Sequence, residues 1–182
     1  MDFSKFKTSD WLKIGGALVF LIFGFMTWIT TTFAGKDVPG AEAGNVFDFF
    51  WTGTLPWILV IGTAVVTFLM VNGTMKSSLP WPLIMLLATG FAALLLLIRV
   101  IFNPLDGKDL VEAAGFEVGR GIGMIGSVIG GCVAFAGALK GYTESGGNLA
   151  DLKDMNKMKS QFGGGNSAPP PPPGMPPPPP PR

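Results

Sequence analysis

The sequence predicts an all-α integral membrane protein: an antiparallel four-transmembrane-helix bundle followed by a disordered, proline-rich C-terminal tail. Three observations predict it. Charged residues make up 14% of the chain, against roughly 25% in globular proteins. No charge occurs within residues 14–35, 49–75, 77–98 or 121–139, and a hydrocarbon core about 30 Å thick needs roughly 20 apolar helical residues. The end of the chain, GGGNSAPPPPPGMPPPPPPR, is low in complexity and builds no core; polyproline II or disorder is expected there.

Residues 1–10 form an interfacial leader. Phe3, Phe6 and Trp11 alternate with Lys5, Lys7 and Lys13, a pattern suited to lipid headgroups. Helix one is placed at about 11–33, with Ser9 or Asp10 as its N-cap and Trp11 and Trp28 toward its ends. Its length, its aromatics and the spans that follow distinguish it from a cleaved signal peptide. Residues 34–55 form a loop whose aromatic half, NVFDFFWTGTLPW, should lie along the membrane surface. Helix two is placed at about 56–72, with Pro56 in its first turn, where a missing N–H is harmless. The short turn NGTMKSSLPWP makes helix three, about 82–101, its antiparallel neighbour. A second acidic loop, 103–118, leads into helix four at about 116–140. The transmembrane domain is thus 11–140. Residues 141–162 should form a juxtamembrane amphipathic helix, because Leu149, Leu152, Met155, Met158 and Phe162 recur every three or four positions between lysines. The tail is 163–182.

Four spans place both termini on one side. That side collects Lys5, Lys7, Lys13, Lys76, Lys140, Lys153, Lys157, Lys159 and Arg182, against Lys36, Arg99, Lys108 and Arg120 on the other. Positive charge resists translocation, so the termini are expected in the cytoplasm. The Asn72-Gly73-Thr74 sequon then falls in a cytoplasmic turn, where it has no meaning.

Gly121, Gly123 and Gly126 spell G-x-G-x-x-G. A dinucleotide site needs a preceding strand in a soluble βαβ unit, whereas here an acidic loop precedes an apolar span. No cofactor is therefore expected. Helical spacing offers a better account. Gly115, Gly119, Gly123, Ser127 and Gly131 recur every four residues on nearly one face, and Gly126, Gly130, Ala134 and Ala138 form a stripe beside it. Small residues let helices approach closely in lipid, and glycine costs about 1 kcal/mol of helix propensity against alanine, so packing must compensate. Two readings stay open: packing within the chain's own bundle, or mating with a second copy or partner.

Arg99, Glu117 and Arg120 gather at the outer helix ends. Glu117 and Arg120, three apart, form a local ion pair on one helix face, and Arg99 snorkels to the headgroups; an ion or substrate vestibule is the functional alternative. No charge is placed deep in a span, which argues against a proton-coupled pump. Histidine is absent and Cys132 is the only cysteine, so imidazole catalysis and thiolate metal clusters are excluded. Cys132 reads as a small packing residue. Asp106, Asp109 and Glu112 lack the glycine and terminal glutamate of a calcium loop. Neither metal, nor nucleic acid, nor enzymatic activity is expected. In the tail, Pro177, Pro180 and Arg182 fit a P-x-x-P-x-R ligand for an aromatic groove; a solvated spacer is the equal alternative.

The stretches TSDWLKIGGALVFLIFGFMTW, FDFFWTGTLPWILVIG, LPWPLIMLLATGFAALLLLIRVIFNP and GRGIGMIGSVIGG together resemble small four-span membrane proteins of actinobacteria, many with glycine- and proline-rich cytoplasmic tails. The likeness covers roughly residues 9–162. It implies a plasma-membrane location and carries over no catalytic or binding residue. The function expected is non-enzymatic: an interaction or scaffold protein that offers its tail to a cytoplasmic partner. The alternative is an oligomeric channel or transport accessory built around helix four.

Overall fold

The computed structural model describes residues 3–38, 44–75, 79–102 and 108–162. The tail, with Pro177, Pro180 and Arg182, lies outside the described residues, as does Asp106. The chain is mostly helical. Four long helices among the described residues, α1 (Thr8–Gly24), α2 (Leu55–Val71), α3 (Trp81–Phe102) and α5 (Ile122–Glu144), pack in a ring in the order α1–α2–α3–α5. A short α4 (Lys108–Ala113) precedes the last of them, and α6 (Met155–Phe162) follows it. Neighbours in the ring are antiparallel. Gly24 lies against Trp57, Thr67 against Met85, Gly90 against Phe135, and Gly16 against Ala134.

Two expectations are corrected. Helix one stops at Gly24 rather than near residue 33, and starts at Thr8, with Lys7 rather than Ser9 or Asp10 in the N-cap position. Helix four starts at Ile122 rather than 116. The missing turns are strands: β1 (Ile29–Phe33), β2 (Lys36–Asp37) and β3 (Phe116–Arg120) form an antiparallel sheet in the order β2-β1-β3. Ile29 pairs with Arg120 and Phe33 with Phe116. The run Ile-Thr-Thr-Thr is β-branched and favours a pleated strand. Ala34 and Gly35, both at positive φ (51° and 72°), make the two-residue turn that pairs Phe33 with Lys36. The class is therefore helical with a small sheet, in place of all-α.

Among the described residues, three helices are long and apolar enough to cross a membrane: Phe50–Val71, which includes a π-helical turn at Phe50–Thr54, then Trp81–Phe102 and Ile122–Glu144. Helix α1, at 17 residues, is shorter. The expected four apolar spans thus become three that meet the length, with α1 packed along α5. Large apolar side chains point outward around the ring, among them Leu18, Ile22, Ile58, Val65, Phe91, Leu94, Ile125 and Ile129. Small and mid-sized ones fill the centre, with Ala17, Ala92, Ala134, Val60, Leu96 and Met124 buried around Phe20 and Trp28. Buried threonines return their hydroxyls to the helix itself: Thr63 to Leu59 O at 2.9 Å, Thr67 to Thr63 O at 2.8 Å and Thr89 to Met85 O at 2.7 Å.

Beyond α5 the expected continuous surface helix is interrupted. Asn148 accepts from Ala150 N at 2.9 Å and starts a 3₁₀ turn, Leu149–Lys153. Asp154 then caps α6 through Asn156 N, also at 2.9 Å. Lys157 reaches back to Asp151 at 2.8 Å. That hydrogen bond and charge raise the Lys157 pKa above the ordinary lysine value.

Candidate functional site

At one end of the bundle α1 and α3 begin while α2 and α5 end. A half-open cleft of about 290 Å³ lies there, with Lys5, Lys7, Ser9, Asp10, Lys13 and Glu144 among its lining residues. Its floor is a buried ion pair. Lys13 Nζ is 2.9 Å from Asp10 Oδ1, and the two side chains are only 5% and 13% exposed. Asp10 Oδ2 also accepts from Lys7 N at 3.1 Å. Ser9 Oγ donates to Glu144 Oε2 at 2.6 Å, tying the start of α1 to the end of α5, and Lys140 Nζ lies 3.9 Å from the other oxygen of Glu144. Met70, Val71, Pro82 and Met85 supply an apolar wall. In the sequence Lys13 stands out as a boundary charge of the first span and as one of the interfacial lysines, not as a partner of Asp10. The signal that finds it is local: Ser9-Asp10 and Lys13 lie within one turn of a helix, so their side chains share a face.

The structure divides the five small residues placed on one helix face. Gly115 closes α4 at φ +87° and Gly119 sits in β3 opposite Thr30, so neither belongs to a helical stripe. Only Gly123, Ser127 and Gly131 lie in α5, and all three are buried. A Cβ at Gly131 would meet Leu96 Cδ1 of α3 at 2.7 Å. A Cβ at Gly123 would meet Met26 O at 2.5 Å, and the second stripe, with Gly137 beside it, packs as closely on α1. A Cβ at Gly130 would lie 2.6 Å from Phe20 N and 2.7 Å from Gly16 O; one at Gly137 would lie 2.7 Å from Lys13 N. Gly126 faces the ring of Phe23. Helix α5 spends its small residues on α1 and α3 of the same chain.

The G-x-G-x-x-G run does follow a strand, β3, contrary to the expected loop. Its partner strand is antiparallel, however, and the start of α5 is covered by the chain itself. Gly121 N donates to Trp28 O at 2.8 Å and Gly123 N to Thr27 O at 3.0 Å. The amides that a pyrophosphate would need are spent on residues 27–28.

At the opposite end of the bundle the expected ion pair is replaced. On a strand, residues three apart point to opposite faces, so Glu117 and Arg120 do not meet. Glu117 faces its cross-strand partner Thr32, whose Oγ1 lies 3.5 Å from Oε2. Arg120 instead closes α3, donating from Nε to Val100 O at 2.6 Å and from Nη2 to Ile101 O at 3.4 Å. Arg99 does not snorkel outward. It is 2% exposed, with its guanidinium 3.7 Å over the Phe49 ring, and that ring stacks on buried Trp28 at 6.0 Å. Arg99 is thus held in a cation–aromatic stack rather than at the headgroups. Arg99 and Lys13 are both buried by protein, yet each stays within two turns of its helix's end. Cys132, expected to pack inward, is exposed on the outside of α5.

The Arg120 cap yields a direct test. Arg120→Ala should cost about 1–2 kcal/mol, since hydrogen bonds from charged donors contribute roughly 1.5–3 kcal/mol and this one is exposed. Amide exchange in the last turn of α3 should quicken. Arg120→Lys should recover less than half of the loss, because an ammonium lacks the guanidinium fork.

Neither family models, curated proteins nor solved structures give a match to this chain. Among the described residues no group of three or more potential metal-ligating side chains comes together.

Proposed function

We propose that this chain is a non-enzymatic, four-span protein of the plasma membrane, with both termini in the cytoplasm, that presents its C-terminal segments to a cytoplasmic protein partner. One observation carries the reading: side-chain size is sorted by direction. Large apolar groups face outward, and the glycine seam of α5 is closed from within by Gly16 and Phe20 of α1 and by Leu96 of α3. Water penalises such an outer surface, and lipid does not. A bundle sealed in this way serves as an anchor. The pore alternative needs α5 to turn its small face toward an oligomer axis, and that face is already occupied.

Although α1 is short, it supports a fourth span because it lies along α5 for its whole length and so shares its depth. The lysine asymmetry supports cytoplasmic termini. The resemblance to four-span actinobacterial proteins agrees with both.

Two measurements test the reading. Cys132→Ser makes a cysteine-free chain, into which single cysteines are placed at Lys36, Lys108 and Ser160. The first two should react with an impermeant maleimide in intact cells, and the third only after permeabilisation; the reverse pattern overturns the proposed topology. Crosslinked affinity purification then compares the full chain with one ending at Phe162. Loss of a partner on truncation supports the tail as its docking site. An unchanged partner set reduces the tail to a spacer.

A further inference from the structure

We propose that the cleft at the start of α1 holds the headgroup phosphate of an anionic phospholipid. The inference rests on the membrane reading above, and the geometry adds three observations. First, the positive charge there is in surplus. Lys5 and Lys7 line the cleft and take part in no ion pair among the described residues, while Lys13 forms its floor. Second, the carboxylates are already engaged. Asp10 holds Lys13 and the Lys7 amide, and Glu144 holds Ser9 and Lys140. The cleft thus keeps unspent ammonium groups for a phosphate and, among the described residues, no free carboxylate for a choline or ethanolamine group, so an anionic headgroup fits better than a zwitterionic one. Third, the lysines are held in place. Phe6, between Lys5 and Lys7, packs its ring 5.4 Å from Trp11 and 6.2 Å from Phe68, pinning the leader across the ends of α1 and α2.

Position completes the argument. The cleft lies level with the end of α2 and the start of α3, where membrane-crossing helices meet the headgroup layer. Met70, Val71 and Met85 offer an apolar wall for the first carbons of an acyl chain. Basic side chains near a membrane surface favour anionic lipid, so two lysines in one cleft give a preference of about tenfold or more.

The test uses the full chain, purified in detergent and given equal amounts of phosphatidylglycerol and phosphatidylcholine, with bound lipid counted by native mass spectrometry. Phosphatidylglycerol should be retained about tenfold more. Lys5→Ala/Lys7→Ala should bring that ratio close to one without lowering the melting temperature, since both residues are exposed and neither forms an ion pair among the described residues. Lys153→Ala/Lys159→Ala, which removes equal charge from outside the cleft, should leave it unchanged. Equal retention of the two lipids overturns the proposal, as does an equal loss in both double variants, which would mean unspecific attraction. Displacement of the lipid by excess inorganic phosphate also overturns it and points to a soluble phosphate compound. Recovery of the chain in the soluble rather than the membrane fraction of its host before detergent is added overturns the membrane reading as well, whereas a chain extracted from membranes that shows no lipid preference overturns this inference alone.

Discussion

Gly130→Leu is expected to be among the most damaging single substitutions in the bundle, destabilising it by more than about 3 kcal/mol. Overpacking in a core ordinarily costs about 1–3 kcal/mol because neighbouring side chains move aside. At Gly130 the neighbours are backbone atoms, Phe20 N at 2.6 Å and Gly16 O at 2.7 Å from a Cβ. Backbone in a helix has nowhere to go, so α1 must leave α5. The contrast lies in the same seam's partner helix. A Cβ at Gly15 would meet nothing within 4 Å, so Gly15→Ala should be neutral or stabilising by about 0.5–1 kcal/mol through reduced backbone entropy. Unfolding of both variants in mixed detergent would decide the matter. A Gly130→Leu chain as stable as its parent would mean that the helices do not approach this closely.

Lys13→Met should produce the second largest effect, about 2–3 kcal/mol. It leaves the Asp10 carboxylate, 13% exposed, without its ammonium partner. Breaking a fully buried pair costs about 3–5 kcal/mol, and the cleft lowers that figure by admitting water. The double variant Asp10→Asn/Lys13→Met should recover more than half of the loss, since the stranded charge is gone. A double-mutant cycle reads this as coupling of more than about 1 kcal/mol. Strictly additive losses would show that the pair is not a coupled unit.

The outline of the bundle is legible in the chain because it rests on local quantities. Helix α3 falls within a residue of its expected limits and α2 ends within one, since Pro80 marks a start and an apolar run carries each to its last turn. The second span, by contrast, begins at Phe50, six residues before Pro56. The end of α1 and the start of α5 mislead for one reason. Absence of charge marks what lipid tolerates and does not distinguish helix from strand. The β-branched run at Ile29–Thr32 and the Ala34-Gly35 turn carry that distinction, and their weight depends on a strand partner more than eighty residues away.

Sequence alone determined that this chain is rich in long apolar helices, that the helices alternate in direction and that one of them is lined with small residues. All of these follow from hydropathy, loop length and spacing. Tertiary structure alone decided which partner uses the small residues, why Arg99 is buried over Phe49 and how Lys13 comes to floor a cleft with Asp10, Ser9 and Glu144. Each depends on two segments distant in the chain meeting at van der Waals or hydrogen-bond range, where interaction energies fall off within an ångström or two and no local pattern records the neighbour.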